Sequence, residues 1–347
     1  MKILVVGSGI IGLSTALYLA LEGFQVRVIT RNPEEGASWV AGGMLAPFSE
    51  GLSGDLFDFS YESLRMYPEY IRLVEDVSRL RIDFWKEGIN RVVLKGEDWL
   101  LQRAEEYKKS GYPVEFLERQ EYLSEEVIKV IRYPEEGWVD VENLMDGLLL
   151  AMQNLGVEIE IDEVVKVELK QERVERLKGI KKDYLADYYI FSTGAWTKEL
   201  FDVPVYPIKG QAIKVRAKPV DVVHYSTISY IIPRSRYTYI GATSEDVSFL
   251  YGNTVGGLNF LCGNATRIVS QLAKAEVVST LYGFRPATPD EKPVFIAREN
   301  YSLLSGHYRN GILHAPITAK IVRSLIKENI KSPYFDHFSP NRFLGYG

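Results

Sequence analysis

The sequence predicts an α/β protein in which a parallel-sheet lobe, built to bind a dinucleotide, is interleaved with an antiparallel-sheet lobe. Three observations predict it. The first thirty residues read strand, glycine turn, helix, strand. The middle third carries strands with no helix between them, and the last third returns to strands and a helix.

Lys2-Ile3-Leu4-Val5-Val6 is a short apolar, β-branched run, the pattern of a strand buried on both faces. Gly7-Ser8-Gly9-Ile10-Ile11-Gly12 follows at once, residues 13–23 carry helical composition up to Gly23, and residues 26–30 form a second strand. In that context Gly7 permits a tight turn, Gly9 lets a pyrophosphate approach the backbone, and Gly12 lets helix and strand pack closely. The amides and dipole of the helix start hold the phosphate charge. A glycine turn that binds nothing is the competing reading. A signal peptide or membrane span is not expected, because three glycines interrupt the run and no basic region or cleavage site accompanies it.

Composition narrows the class. A chain of 347 residues is long enough for two lobes, and its balance of 46% hydrophobic and 25% charged residues is that of an ordinary soluble protein. The net charge of −5 disfavours a nucleic-acid partner. Four histidines and the single Cys262 leave little material for a metal site or a disulfide framework, so no metal is expected and a reducing cytoplasm fits best. Cys262 itself reads as a buried structural thiol.

The tip of the second strand bears on which dinucleotide is bound. An acidic residue there bonds ribose hydroxyls, whereas this chain has Thr30-Arg31-Asn32, and an arginine can accept the 2′-phosphate of NADP; both cofactor types stay open on these residues. Residues 37–47 are small, glycine-rich and apolar, suited to lying against a flat ligand. Helices are expected over 57–77, 98–110 and 139–155, with mixed strand and turn over 83–94. Strands follow over 157–169 and 173–177, with Val164 placed to contact an adenine through its backbone. A buried strand over 187–191 runs into Ser192-Thr193-Gly194-Ala195-Trp196, a second turn where a nucleotide can rest. Residues 208–216, 228–233 and 237–243 are consecutive strands and predict the antiparallel sheet. A helix over 256–275, strands over 277–285, 292–297 and 301–305, and a last helix over 315–327 complete the chain. The tail after Ser332 shows no regular pattern.

Further motifs fall in a fixed order: Ala41-Gly42-Gly43-Met44-Leu45-Ala46-Pro47, Lys209-Gly210-Gln211, Tyr230-Ile231-Ile232-Pro233-Arg234, Gly241-Ala242-Thr243, Gly283-Phe284-Arg285-Pro286 with Lys292-Pro293, and Gly306-His307-Tyr308-Arg309-Asn310-Gly311-Ile312. With the first glycine turn, this set resembles the FAD-dependent amine oxidases of the D-amino-acid oxidase superfamily, glycine oxidases above all, over nearly the whole chain. The resemblance implies a discontinuous Rossmann-like FAD-binding domain (1–50, 140–200 and 285–347) and an antiparallel-sheet substrate-binding domain (51–139 and 201–284).

It also implies roles. FAD would be held non-covalently by Gly7, Gly9, Ile10, Ile11 and Gly12, by Thr30 and Arg31, by Ala41, Gly42, Gly43 and Met44, and by Val164, Thr193, Gly194 and Trp196. Arg285, Arg309, Asn310, Gly311 and Ile312 would complete the cofactor site. Arg285 would bind the substrate carboxylate through its planar fork, with Tyr230 bonding the same group. Arg309 would offer its backbone carbonyl to the amine, and Met44 would border the pocket. The positive end of the final helix, taken to begin after Pro316, and the Gly311-Ile312 amides would face the charge of reduced flavin.

The implied reaction is hydride transfer from the α-carbon of glycine, sarcosine or a small D-amino acid to flavin N5. No base on carbon is required if the amine enters neutral. Oxygen is the implied acceptor; a dehydrogenase passing electrons to a quinone or protein is the alternative, and a homo-oligomer is allowed. A NADP reductase rests on Arg31 alone, and a flavin-bearing assembly subunit without turnover is a third possibility. Ser244, where glycine oxidases can carry a bulkier residue, implies a wider pocket.

Overall fold

Lys2–Val6 lies at the middle of a six-stranded sheet in the computed structural model, which describes residues 1–344. Residues 345–347, counted above with the FAD-binding domain, lie outside the described residues. The strand order is Val294–Ala297, Tyr301–Ser305, Tyr188–Phe191, Lys2–Val6, Gln25–Thr30, Glu158–Ile161, parallel throughout except for the first pair. Lys2–Val6 is apolar without alternation because each face meets a different layer. Ile3 and Val5 pack with the helices Ile10–Leu21, Val141–Asn154 and Gly311–Glu328. Leu4 and Val6 face a three-stranded antiparallel sheet, Val164–Lys170, Arg173–Gly179 and Asp183–Tyr184.

The second large sheet has eight strands: Glu276–Ala287, Tyr206–Arg216, Thr238–Gly241, Tyr230–Pro233, Val223–Tyr225, Ile89–Leu94, Val127–Tyr133 and Glu115–Leu117. Its one parallel pair is Val223–Tyr225 with Ile89–Leu94. It is wider than expected: Val127–Tyr133 and Glu115–Leu117 extend it beyond the predicted strands. A small sheet of Met44–Leu45, Gly137–Val139 and Phe84–Trp85 joins the two lobes.

Four local expectations are corrected. The last helix begins at Gly311, not after Pro316. Pro316 has no amide to give the carbonyl of Ile312, and the Tyr67 hydroxyl of the helix Gly54–Ser78 donates to that carbonyl instead. Ser63 Oγ likewise donates to the carbonyl of Leu313 at 2.6 Å. Secondly, the stretch 256–275 is a helix, Val255–Ile268, followed by a separate 3₁₀ turn, Ser270–Lys274. Thirdly, Cys262 is exposed. That helix buries Leu261, Ala265 and Ile268, spaced four and three residues apart on one face, so the residue after Leu261 points away. Lastly, the tail holds a short helix, Tyr334–His337, and a 3₁₀ turn, Pro340–Phe343, anchored by Phe335 and Phe338 packed on Phe295. Elements this short show no periodicity in sequence.

Candidate active site

A cleft of about 410 Å³ runs from the first glycine turn to the inner face of the eight-stranded sheet. At its first end Gly7 adopts a φ of +109°, and a Cβ on Gly12 would stand 2.0 Å from the Gly7 carbonyl oxygen. No other residue type satisfies both demands. The first bond of the helix is Leu13 N to Gly9 O at 3.0 Å, so the amides before it have no intrahelical partner where Gly9, Ile10 and Ile11 line the cleft. Ser38 Oγ accepts one of them, from Ile10, at 3.0 Å.

Thr30 and Arg31 follow at the tip of the second strand. Thr30 Oγ1 accepts from Ser8 Oγ at 2.9 Å. Arg31 is paired with Glu35 at 3.0 Å and with Glu163 at 3.7 Å, and its guanidinium lies 4.6 Å over the Trp196 ring. Glu35, Glu163, Asp162 and Glu199 line this end of the cleft, and burial raises the Glu199 carboxyl above its ordinary range. An arginine already held by two carboxylates, among further acids, is poorly placed for the 2′-phosphate of NADP. The arrangement favours a cofactor without that phosphate.

The wall beyond is the segment 40–44, Val40 followed by small residues and Met44. Its carbonyls are tied from outside: Tyr239 Oη donates to Val40 O at 2.6 Å, Arg234 Nη2 to Gly42 O at 2.6 Å, and Val139 N to Gly43 O at 2.9 Å. Arg234 is buried and stacked 3.9 Å from the Trp138 ring, facing Asp140 at 4.0 Å. Burial lowers its pKa, with Asp140 opposing. A glycine-rich segment is thereby held still while its other side opens on the cleft. Across from it, residues 307–312 and the start of the helix Gly311–Glu328 line the cavity, so a helix N-terminus points its dipole there. The glycine cradle, the backbone wall and the helix end together fit a flavin dinucleotide.

The far end is made of side chains. Tyr225, Tyr230 and Tyr239 form a ladder across three strands, neighbouring rings lying 6.1 Å apart and nearly parallel, and Arg91 caps it 4.5 Å from Tyr225. Arg285 lies across Gly210, where a Cβ would meet its guanidinium at 2.5 Å, and it donates to Thr243 O at 3.0 Å. Burial raises the Tyr230 hydroxyl pKa, with Arg285 drawing it back, so these two groups share one environment. Arg309 lies 5.0 Å over the Tyr308 ring, and Tyr308 Oη is 3.3 Å from Ser244 Oγ. Burial works against the charge of Arg309, yet Glu50, Tyr225 and Tyr308 hold it above its ordinary range. His307 and His314 are buried with Nδ1 atoms 3.2 Å apart. Burial depresses His307 to about 3 and His314 well below its ordinary value, so neither carries charge at neutral pH.

Every residue assigned to the cofactor or substrate from sequence lines this cleft except Gly12, which lies beneath Gly7. Sequence reasoning missed Glu50, Tyr225, Tyr239 and Tyr308. Tyr308 lies inside a motif and was findable; Glu50 lies three residues past the 41–47 motif, on a turn with no signature of its own, and Tyr225 sits on a three-residue strand too short to read.

A dinucleotide cleft of this composition between a parallel sheet and an antiparallel one defines a flavin-dependent oxidoreductase, and the chain belongs to the FAD dependent oxidoreductase family, whose model matches residues 2–325. Among its relatives, the bifunctional protein ThiO/ThiG of Trichormus variabilis is 37% identical over 98% of this chain and 55% of that protein. The chain thus spans about half the length of the bifunctional relatives it matches. Glycine oxidase of Geobacillus kaustophilus is 28% identical over 98% of this chain and 97% of its own. The crystal structure of glycine oxidase from Geobacillus kaustophilus superposes with a TM-score of 0.92 at 27% identity, covering 98% of this chain and 99% of that one.

Proposed function

We propose that this chain oxidises a small amino acid, glycine, sarcosine or a short D-amino acid, to an imino acid that water converts to a 2-oxo acid and ammonia (methylamine from sarcosine), with oxygen reduced to hydrogen peroxide. Bound non-covalently, FAD supplies the hydride acceptor and passes the electrons on. The observation that carries this reading is the half-buried Arg285 guanidinium beside Tyr230, on the sheet wall of a cleft whose other end is a dinucleotide turn.

Arg285 and Tyr230 hold the substrate carboxylate, and a planar fork with a phenol beside it fixes the orientation of the Cα–H bond. The Arg309 carbonyl accepts a hydrogen from the amine, which enters neutral. Met44 and the tyrosine ladder exclude water from the reacting carbon. No side chain in the cleft is required as a base on carbon, in keeping with the neutral, buried His307. The amides at the start of Gly311–Glu328 lie where negative charge would be stabilised. On this reading the parallel-sheet lobe (1–50, 140–200 and 285 onward) holds the cofactor, and 51–139 with 201–284 form the substrate lobe.

The test is direct. The purified protein shows a flavin spectrum, and acid precipitation releases the colour. Glycine, sarcosine or D-alanine then bleaches it under anaerobic conditions, and air restores it. A colourless protein, or one bleached by none of the three, overturns the proposal.

A further inference from the structure

Among the described residues, the charged groups lining the substrate end of the cleft are two guanidinium groups, Arg285 and Arg309, and one carboxylate, Glu50. Arg285 is committed to the wall by Gly210 and Thr243. Arg309 enters from the opposite loop, with Tyr308 as its neighbour. Glu50 sits on a segment that the buried Glu136 pins in place: Glu136 Oε1 accepts the amides of Phe48 at 2.6 Å and Ser49 at 2.9 Å, and Ser49 Oγ bonds its other oxygen. Glu50 N also donates to Ala46 O at 3.0 Å, which closes a turn and directs the residue at the cleft. A carboxylate is thus held on a pinned turn at the same end of the cleft as Arg285 and Arg309.

We propose that Glu50 is a specificity-determining residue that stands in for a second substrate carboxylate at Arg309, so that the site takes substrates with one carboxylate and an uncharged side chain. This rests on the reading of the cleft as an amino-acid site with Arg285 as its carboxylate partner. Charge balance supports it: with Glu50 in place the end carries one net positive charge, which a monocarboxylate with a neutral amine cancels. A dicarboxylate brings one negative charge too many and meets Glu50 directly, which is how a site rejects a ligand as well as selecting one. Glu50 also makes the leading electrostatic contribution that keeps Arg309 charged against its burial, and it adds to the burial-driven rise of the Tyr225 hydroxyl. Its influence therefore reaches both flanking groups.

The experiment uses the flavin-bound protein and needs no turnover. Acetate and malonate are titrated into wild type, Glu50→Gln and Glu50→Gln/Arg309→Met, and dissociation constants are read from the visible absorbance of the bound flavin. The expected result is a rise of about tenfold in the affinity of malonate relative to acetate in Glu50→Gln, abolished in the double variant. Arg309→Met alone is a second probe: it leaves the Glu50 charge uncancelled, and acetate binding weakens. An unchanged malonate-to-acetate ratio in Glu50→Gln, with acetate binding intact, overturns the inference while leaving the amino-acid reading standing. A Glu50→Gln protein that loses glycine affinity but keeps the ratio assigns Glu50 to the amine and overturns it too. Acetate that fails to perturb wild-type flavin at all overturns the amino-acid reading, and the inference with it.

Discussion

The two ends of the cleft are built by different means. At the first-strand end the lining is largely backbone: a glycine turn, the start of a helix, and a second turn at 192–196 reached through the pairing of Val6 with Phe191. At the sheet end the lining is side chains drawn from positions 44, 50, 225, 230, 285 and 309, brought together by the fold and its strand register, such as Ile208 opposite Arg285 and Tyr230 opposite Gly241. Backbone recognition is written within a few tens of residues, whereas side-chain recognition depends on the whole fold. The two ends should therefore fail separately. Arg285→Ala is the largest expected break: kcat/KM for the amino acid falls by roughly 3–5 kcal/mol because the carboxylate is desolvated without its partner. Flavin content, measured by absorbance, stays that of wild type. A variant that also loses its flavin would show that the ends are not independent.

The same division explains what could be read in advance. The parallel lobe was legible because Lys2–Val6, its turn and its helix are consecutive, and because two-sided burial leaves an unbroken apolar run. The antiparallel lobe was legible only in part. Val127–Tyr133 mixes buried Val127, Val130 and Ile131 with exposed Ile128, so it lacks the clean alternation of a half-buried strand. The start of the last helix was misplaced because Pro316 reads as a beginning, and the hydroxyl that compensates it comes from Tyr67, far away in sequence. Arg285 and Tyr230 stand out by their motifs, and the fold brings both to the cleft wall. Glu50 does not stand out, since a glutamate after a loop has no signature until the loop is folded.

The sheet end rests on one buried acid, and its cost should be visible in pH. Burial pushes the Glu136 carboxyl up to about 8, with hydrogen bonds from Ser49 and Phe48 opposing the rise. The folded protein then keeps a proton that the unfolded chain has released above its ordinary carboxylate pKa. Stability therefore falls as pH climbs from about 4.5 to about 8, by on the order of 4 kcal/mol from this group alone. Glu136→Gln can keep both amide bonds and removes the titration, so denaturant unfolding between these pH values should show a flatter dependence in the variant. Equal slopes would mean that other groups set the pH response.

Tyr67→Phe probes the element the two ends share. The Ile312 carbonyl loses the hydroxyl that stands in for the amide Pro316 lacks, and a buried unmet acceptor costs about 1–3 kcal/mol. The loss should appear in the unfolding midpoint and as weaker flavin retention, because this turn lies at the helix start lining the cleft. A change in stability with flavin affinity untouched would separate the helix start from the cofactor.

The smallest expected effect concerns pocket width. Ser244 is exposed at the substrate end, its Oγ 3.3 Å from Tyr308 Oη, with Arg309 stacked on the same Tyr308 ring. A small residue here leaves room that a longer side chain would take. One buried methylene is worth about 0.8 kcal/mol, and a pocket discriminates a methylene by roughly 10–200-fold. Ser244→Met should therefore lower kcat/KM for D-alanine about tenfold relative to glycine, at the low end of that range because the position is partly open to solvent. Acetate affinity should stay unchanged, since Arg285 and Tyr230 are untouched. A variant in which both substrates fall together would place the effect on the Tyr308–Arg309 loop, and a constant ratio would assign the width to residues 48–59 instead.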